Sequence, residues 1–147
     1  MFCLLQFALW ASPLAVNESR PSLNLKNQYD KAVSPKEEKY WVIVRDKSVS
    51  YLVNDYFLQH PHHINSGKVV YILNIEKIPY LIYKFFVKSK MREFPFEIMI
   101  CDDDSISRQL PYIKDKITVI YFKNQRAKQI NFVDTSLTLE QALHSKI

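Results

Sequence analysis

Some side chains in this sequence have types and spacings suited to chemistry. Two cysteines, Cys3 and Cys101, offer thiols. Thiol exchange needs an accessible thiolate of low pKa, usually with a second cysteine nearby to resolve the mixed disulfide. Cys101 closes an apolar run and is followed by Asp102, Asp103 and Asp104, whose charge disfavours a thiolate. It reads as a small buried hydrophobe. His60, His62 and His63 flank Pro61. A metal site needs three or four ligands in fixed geometry, so these histidines fit an exposed polar loop better than a centre. The three aspartates suit a hard cation such as Mg²⁺ or Ca²⁺, but the EF-hand spacing is absent. Aspartates after a strand also cap helix N-termini, and the cluster is expected to do so. Lys84, Lys88 and Arg92 step by four along one helix: a solvated face, or a docking surface for an acidic partner or anionic lipid. Ser48 has no His nearby in sequence, so no nucleophile–base pair can be argued. No catalytic residue, metal or cofactor is expected.

Composition narrows the classes. The chain has 147 residues, one domain by length. A 48% hydrophobic and 14% aromatic content supplies a core and excludes a disordered chain. Gly67 is the only glycine. Phosphate loops need several residues without a Cβ so that backbone N–H groups can approach the ligand, so the usual nucleotide fingerprints are excluded. The formal charge is +5, but the basic residues are scattered with no dense Lys/Arg tract, and no nucleic-acid partner is expected.

Residues 2–11 form an apolar stretch too short to span a bilayer, followed by small residues at Ala11, Ser12 and Ala15. We expect a signal peptide over residues 1–15, a cut after Ala11 being one solution, and an exported, periplasmic location. No basic residue precedes the stretch, and Pro13 interrupts the small-x-small pattern before Ala15. After cleavage nothing remains to make an integral membrane protein.

The elements that must position these groups follow from periodicity. Residues 16–39 read as a tether, with Leu23 and Leu25 allowing a short edge strand. Residues 40–44 (YWVIV) form a strand buried on both faces. Val49, Leu52, Val53, Tyr56 and Phe57 mark a helix over 48–59 that Pro61 ends. Residues 69–75 form a second buried strand. Pro79 opens a second helix running through Leu81, Ile82, Phe85, Phe86 and Met91. Residues 96–101, 116–122 and 128–133 are three more strands, with a short helical piece before Leu110 and a hairpin link at 123–127. Thr135 or Ser136 caps a last helix carrying Leu137, Leu139, Ala142 and Leu143. The order is β-α-β-α-β-(short helix)-β-β-α, a mixed α/β sheet of about five strands flanked by helices, with right-handed crossovers.

That order resembles the thioredoxin fold over residues 40–147. The 40–44 strand stands where thioredoxins place the strand before the active-site helix. The turn Asp46-Lys47-Ser48-Val49 stands where the redox CxxC belongs, and it has no cysteine. Phe94, Pro95 and Phe96 look like the proline loop, cis in thioredoxins, that precedes the next strand. The segments Asn74-Ile75-Glu76-Lys77-Ile78-Pro79 and Ser89-Lys90-Met91-Arg92-Glu93-Phe94-Pro95-Phe96 are similar to two motifs of a family of small exported bacterial thioredoxin-like proteins without CxxC. Asn74, Glu76 and Ser89 depart from that family's pattern. Some members carry a flavin-dehydrogenase label, which no Gly-rich motif here supports. The element order, the expected leader and the missing CxxC together point to a non-catalytic domain that binds a protein partner. A flavin-dependent oxidoreductase and thiol redox through Cys101 are the alternatives. In open α/β sheets ligands sit outside the strand C-termini. The candidate binding edge is therefore Asp46, Asn74, Phe94, Pro95 and Phe96, with the Asp102 cluster near it.

Overall fold

The computed structural model describes residues 12–35 and 39–144. Most of the expected leader, residues 1–11, lies outside the described residues. The chain forms β1 (Leu25–Asn27), β2 (Ala32–Val33), β3 (Tyr40–Val44), α1 (Lys47–Gln59), α2 (His62–Asn65) and β4 (Val69–Asn74). A helix, α3, spans residues 80–91 as Tyr80–Ile82, a π turn Tyr83–Val87 and Lys88–Met91. There follow β5 (Met99–Cys101), α4 (Asp104–Ser107), β6 (Ile117–Lys123), β7 (Arg126–Val133) and α5 (Ser136–His144).

The strands make one seven-stranded sheet in the order β2-β1-β5-β4-β3-β6-β7. β3, β4 and β5 are parallel, and the remaining neighbours are antiparallel. The sheet has two strands more than the five expected. They come from residues 25–33, whose β1 pairs with β5 and extends the sheet beyond its parallel centre. The expected strand over 96–101 shortens to Met99–Cys101. The buried amide of Gln28 takes over the backbone before it, donating to Phe96 O at 2.7 Å and accepting from Ile98 N at 2.8 Å.

Side chains alternate across the central strands, as the pleat requires. Tyr40, Val42 and Val44 of β3 face one core, and Trp41 and Ile43 face the other. Two right-handed crossovers in the same direction, β3-α1-β4 and β4-α3-β5, put both helices over the first face. α5 joins them through Leu139 and Leu143, and α1 contributes Val49, Val53, Tyr56 and Phe57. Among the described residues the second face carries no long helix. Leu14, Leu23, Leu25 and Leu110 cover it. The entering chain is pinned there by Leu14 N–H to Gln109 O at 2.9 Å and Asn17 N–H to Ala127 O at 2.7 Å. No helix among the described residues is long and apolar enough to cross a membrane.

Composition alone does not say which side of α3 meets the core. Its run of Leu81, Ile82, Phe85 and Phe86 lies outside the core, between 47% and 70% exposed. The inward positions are Tyr83, Val87 and Met91. Tyr83, Val87 and Met91 step by four as one stripe on the sheet, and the helical turn carries Leu81 and Phe85 to the opposite side.

Candidate functional site

β3 ends and α1 begins at Asp46, whose backbone is extended. Its carboxylate does not cap its own helix. It accepts from the Tyr112 hydroxyl at 2.7 and 2.9 Å and from Asp115 N–H at 2.7 Å. The Ser48 hydroxyl donates to Asp115 Oδ1 at 2.7 Å, closing a second link between the turn and the loop before β6. Asp115 turns that loop with φ 62°, a left-handed conformation that Asp tolerates better than most residues. The Arg45 guanidinium lies 4.6 Å above the Tyr112 ring and pairs with Glu76 at 3.3 Å. Partial burial, then the hydrogen bond to Asp46, hold the Tyr112 phenol above its usual pKa.

Beside this turn a cavity of about 400 Å³ opens between α1 and α3. Asp46, Lys47, Ser50 and Asn54 form its α1 wall, and Leu73 and Tyr71 of β4 lie beneath. Tyr71 donates to Asn54 Oδ1 at 2.8 Å. The opposite wall is mainly apolar: Ile78, Ile82, Phe86, Val87 and Phe94, with Lys90 at the rim. Lys47 and Lys90 form no ion pair among the described residues.

Asp46 and Phe94 line this cavity, whereas Asn74, Pro95 and Phe96 do not. Asn74 is buried beneath the strand ends, donating to Ser107 Oγ at 2.7 Å and accepting from Glu76 N–H at 3.0 Å. Phe96 is buried, with its ring stacked 5.2 Å from that of Phe94. Pro95 is exposed, and no peptide bond among the described residues is cis, which departs from the resemblance to a cis-proline loop. Sequence reading missed Tyr112 and Asp115. They lie 66 and 69 residues from Asp46, with no local signal.

The other candidates disperse. The Cys101 side chain is fully buried on the second face, its Sγ 3.8 Å from Asp103 O. Burial pushes its thiol up to about 11, with the charges of Asp102 and Asp103 adding to the rise. Asp103 caps α4 as expected, accepting from Ser105 N–H and Ile106 N–H at 2.7 and 3.3 Å, and Asp104 pairs with Arg108 at 2.7 Å. His60 stacks on Tyr56 at 4.5 Å, and the buried His63 stands 3.4 Å from the Tyr56 hydroxyl. Among the described residues no three His, Cys, Asp or Glu side chains gather to hold a metal ion. Lys88 and Arg92 leave the basic stripe to clamp Asp30 at 2.7 and 3.3 Å.

No family model matches the chain, and no curated protein matches it. Solved structures do. Peroxidoxin BcpB of Mycobacterium tuberculosis aligns with TM-score 0.60 and 9% identity, over 88% of this chain and 94% of that one. The thioredoxin domain of a thiol-disulfide oxidoreductase from Bacteroides vulgatus aligns with TM-score 0.55 and 12% identity, over 87% and 97%. A thio-disulfide isomerase from Thermus thermophilus aligns with TM-score 0.53 and 12% identity, over 88% and 98%. At these identities the likeness establishes the fold, which is thioredoxin-like.

Proposed function

We propose that this thioredoxin-like domain is a non-catalytic binding module of the cell envelope, taking a segment of a partner polypeptide into the cavity between α1 and α3. The observation that carries the reading is the start of α1. The turn that stands in place of a CxxC has no sulfur. Its Asp46 carboxylate and Ser48 hydroxyl are committed to the Tyr112–Asp115 loop rather than presented to a substrate. Cys101 is buried on the far face with a raised pKa, so thiol exchange has no ready nucleophile there.

A rigid turn beside a mostly apolar cavity suits recognition, because such pockets bind by burying apolar groups and orient the ligand with a few polar ones. Lys47 and Lys90 at the rim favour a segment that places an apolar side chain next to a carboxylate. A displayed peptide library panned on the protein tests this. Enriched peptides should carry an aliphatic or aromatic residue flanked by Asp or Glu. Ser50→Trp, which fills the cavity mouth, should weaken them by about tenfold or more. No enrichment, or peptides that bind the Ser50→Trp protein equally well, would sink the reading.

A further inference from the structure

We propose that the outer crest of α3 is a docking surface for an anionic lipid bilayer. A helix apolar around most of its circumference belongs in a core or a membrane. Here Tyr83, Val87 and Met91 pack on the core and Ile82 and Phe86 line the cavity towards α1, which leaves Tyr80, Leu81 and Phe85 to face outward. Leu81 is 62%, Phe85 63%, Phe86 70% and Tyr80 69% exposed. The charge around this face points to the occupant. Residues 77–92 contain Lys77, Lys84, Lys88, Lys90 and Arg92 and no Asp or Glu. That window carries a local formal charge of +5, although residues 116–133 hold four more basic residues with no acid.

Asp30 answers Lys88 and Arg92. Lys84 and Lys90 form no ion pair among the described residues. Lys84 Nζ lies 5.6 Å from the Phe85 ring, so cation and apolar crest share one surface. Apolar and aromatic side chains edged by lysines are the chemistry of helices that lie in the bilayer interface, with rings at headgroup depth and ammonium groups among lipid phosphates. Aliphatic Leu81 and Ile82 beside the rings favour acyl chains over stacked nucleobases, which need flat partners.

Vesicle co-sedimentation of the full chain tests this, comparing phosphatidylcholine alone with phosphatidylcholine mixed with phosphatidylglycerol. Binding should appear with the phosphatidylglycerol vesicles and weaken with salt. Lys84→Gln should lower it by about fivefold. Leu81→Ser with Phe85→Ser removes groups that make little contact with the core, so that protein should fold and lose at least about tenfold in partitioning. In a separate Phe85→Trp protein, emission should move to shorter wavelength on these vesicles. Failure to sediment, sedimentation unchanged in the Leu81/Phe85 double variant, or emission that does not move would each overturn the proposal. So would a lipid-free dimer that the same double variant dissociates, since the crest would then be covered by a second copy.

Discussion

A carboxylate that accepts from a phenol and from a backbone amide is expensive to remove, because both donors lose a charged partner. Asp46 is such a group, and its bonds to Tyr112 and Asp115 join the start of α1 to the loop before β6. Asp46→Ala should destabilise the fold by about 2 kcal/mol, and Asp46→Asn, which keeps an acceptor, by less. Urea denaturation of both proteins measures the difference; equal losses would mean that the charge contributes nothing. Cys101 makes the opposite kind of prediction, since its environment favours the neutral form. The folded thiol keeps its proton to about 11, whereas an unfolded one releases it near 8.5. Its contribution is therefore complete below about pH 8.5 and is lost as the pH rises towards 11. In a Cys3→Ser background, an aromatic disulfide reagent at pH 8 should label Cys101 no faster than the protein unfolds. Cys101→Ala should flatten part of the alkaline fall in the denaturation midpoint. Rapid labelling of the native protein would revive thiol chemistry for this chain.

Among the elements, α3 is the one whose stripes are separated by burial rather than by polarity. Tyr83, Val87 and Met91, spaced by four, are the apolar side chains that face inward. Tyr83→Ala or Met91→Ala should each cost about 3 kcal/mol, because each empties a filled core position. Leu81→Ser should stay within about 0.5 kcal/mol, as surface changes do. Thermal unfolding of the three proteins checks the register, and a large loss from Leu81→Ser would place the stripes the other way round. This helix also marks where reading the sequence stops. α1 is legible because an uninterrupted period of 3.6 puts Val49, Val53, Tyr56 and Phe57 on one side, and all four are buried. β3 and β4 are legible because continuous β-branched and aromatic runs belong to strands covered on both faces. α3 is legible as a helix opened by Pro79, but apolar residues on several of its sides leave unread which of them faces the core. The site divides in the same way. Asp46 is found from its place after a buried strand, but Tyr112 and Asp115 are partners by topology alone. Gln28 looks like a loop residue until β1 carries it beneath the chain before β5, where its amide meets Phe96 and Ile98.

At the scale of the molecule, the two faces of the sheet are protected unequally. Three helices cover one. The other depends on irregular chain, with Leu14 and Leu23 lying over Trp41, Ile43 and Ile72 in the same apolar cluster. Chain entropy opposes holding an N-terminal segment in place, so each buried anchor in it must offset that cost. Leu14 is 7% exposed, and its N–H is bonded to Gln109 O. The position at which the chain begins therefore affects stability. A protein beginning at Ser12, as a cut after Ala11 would leave it, keeps this anchor; one beginning at Val16 loses it. The shorter protein should be less stable by about 2 kcal/mol, a fall in Tm of about 5 °C or more for a domain of this size. Leu14→Ala in the longer protein should reproduce most of that loss, because the change removes the side chain and leaves the segment in place. If both starts melt together, the segment before Val16 frays without cost, and Asn17, bonded to Ala127 O, is the first residue that holds the entering chain. If they differ as expected, the second face is complete only in a chain that begins upstream of Leu14, and a processing site after Ala15 would leave Trp41 and its neighbours partly uncovered.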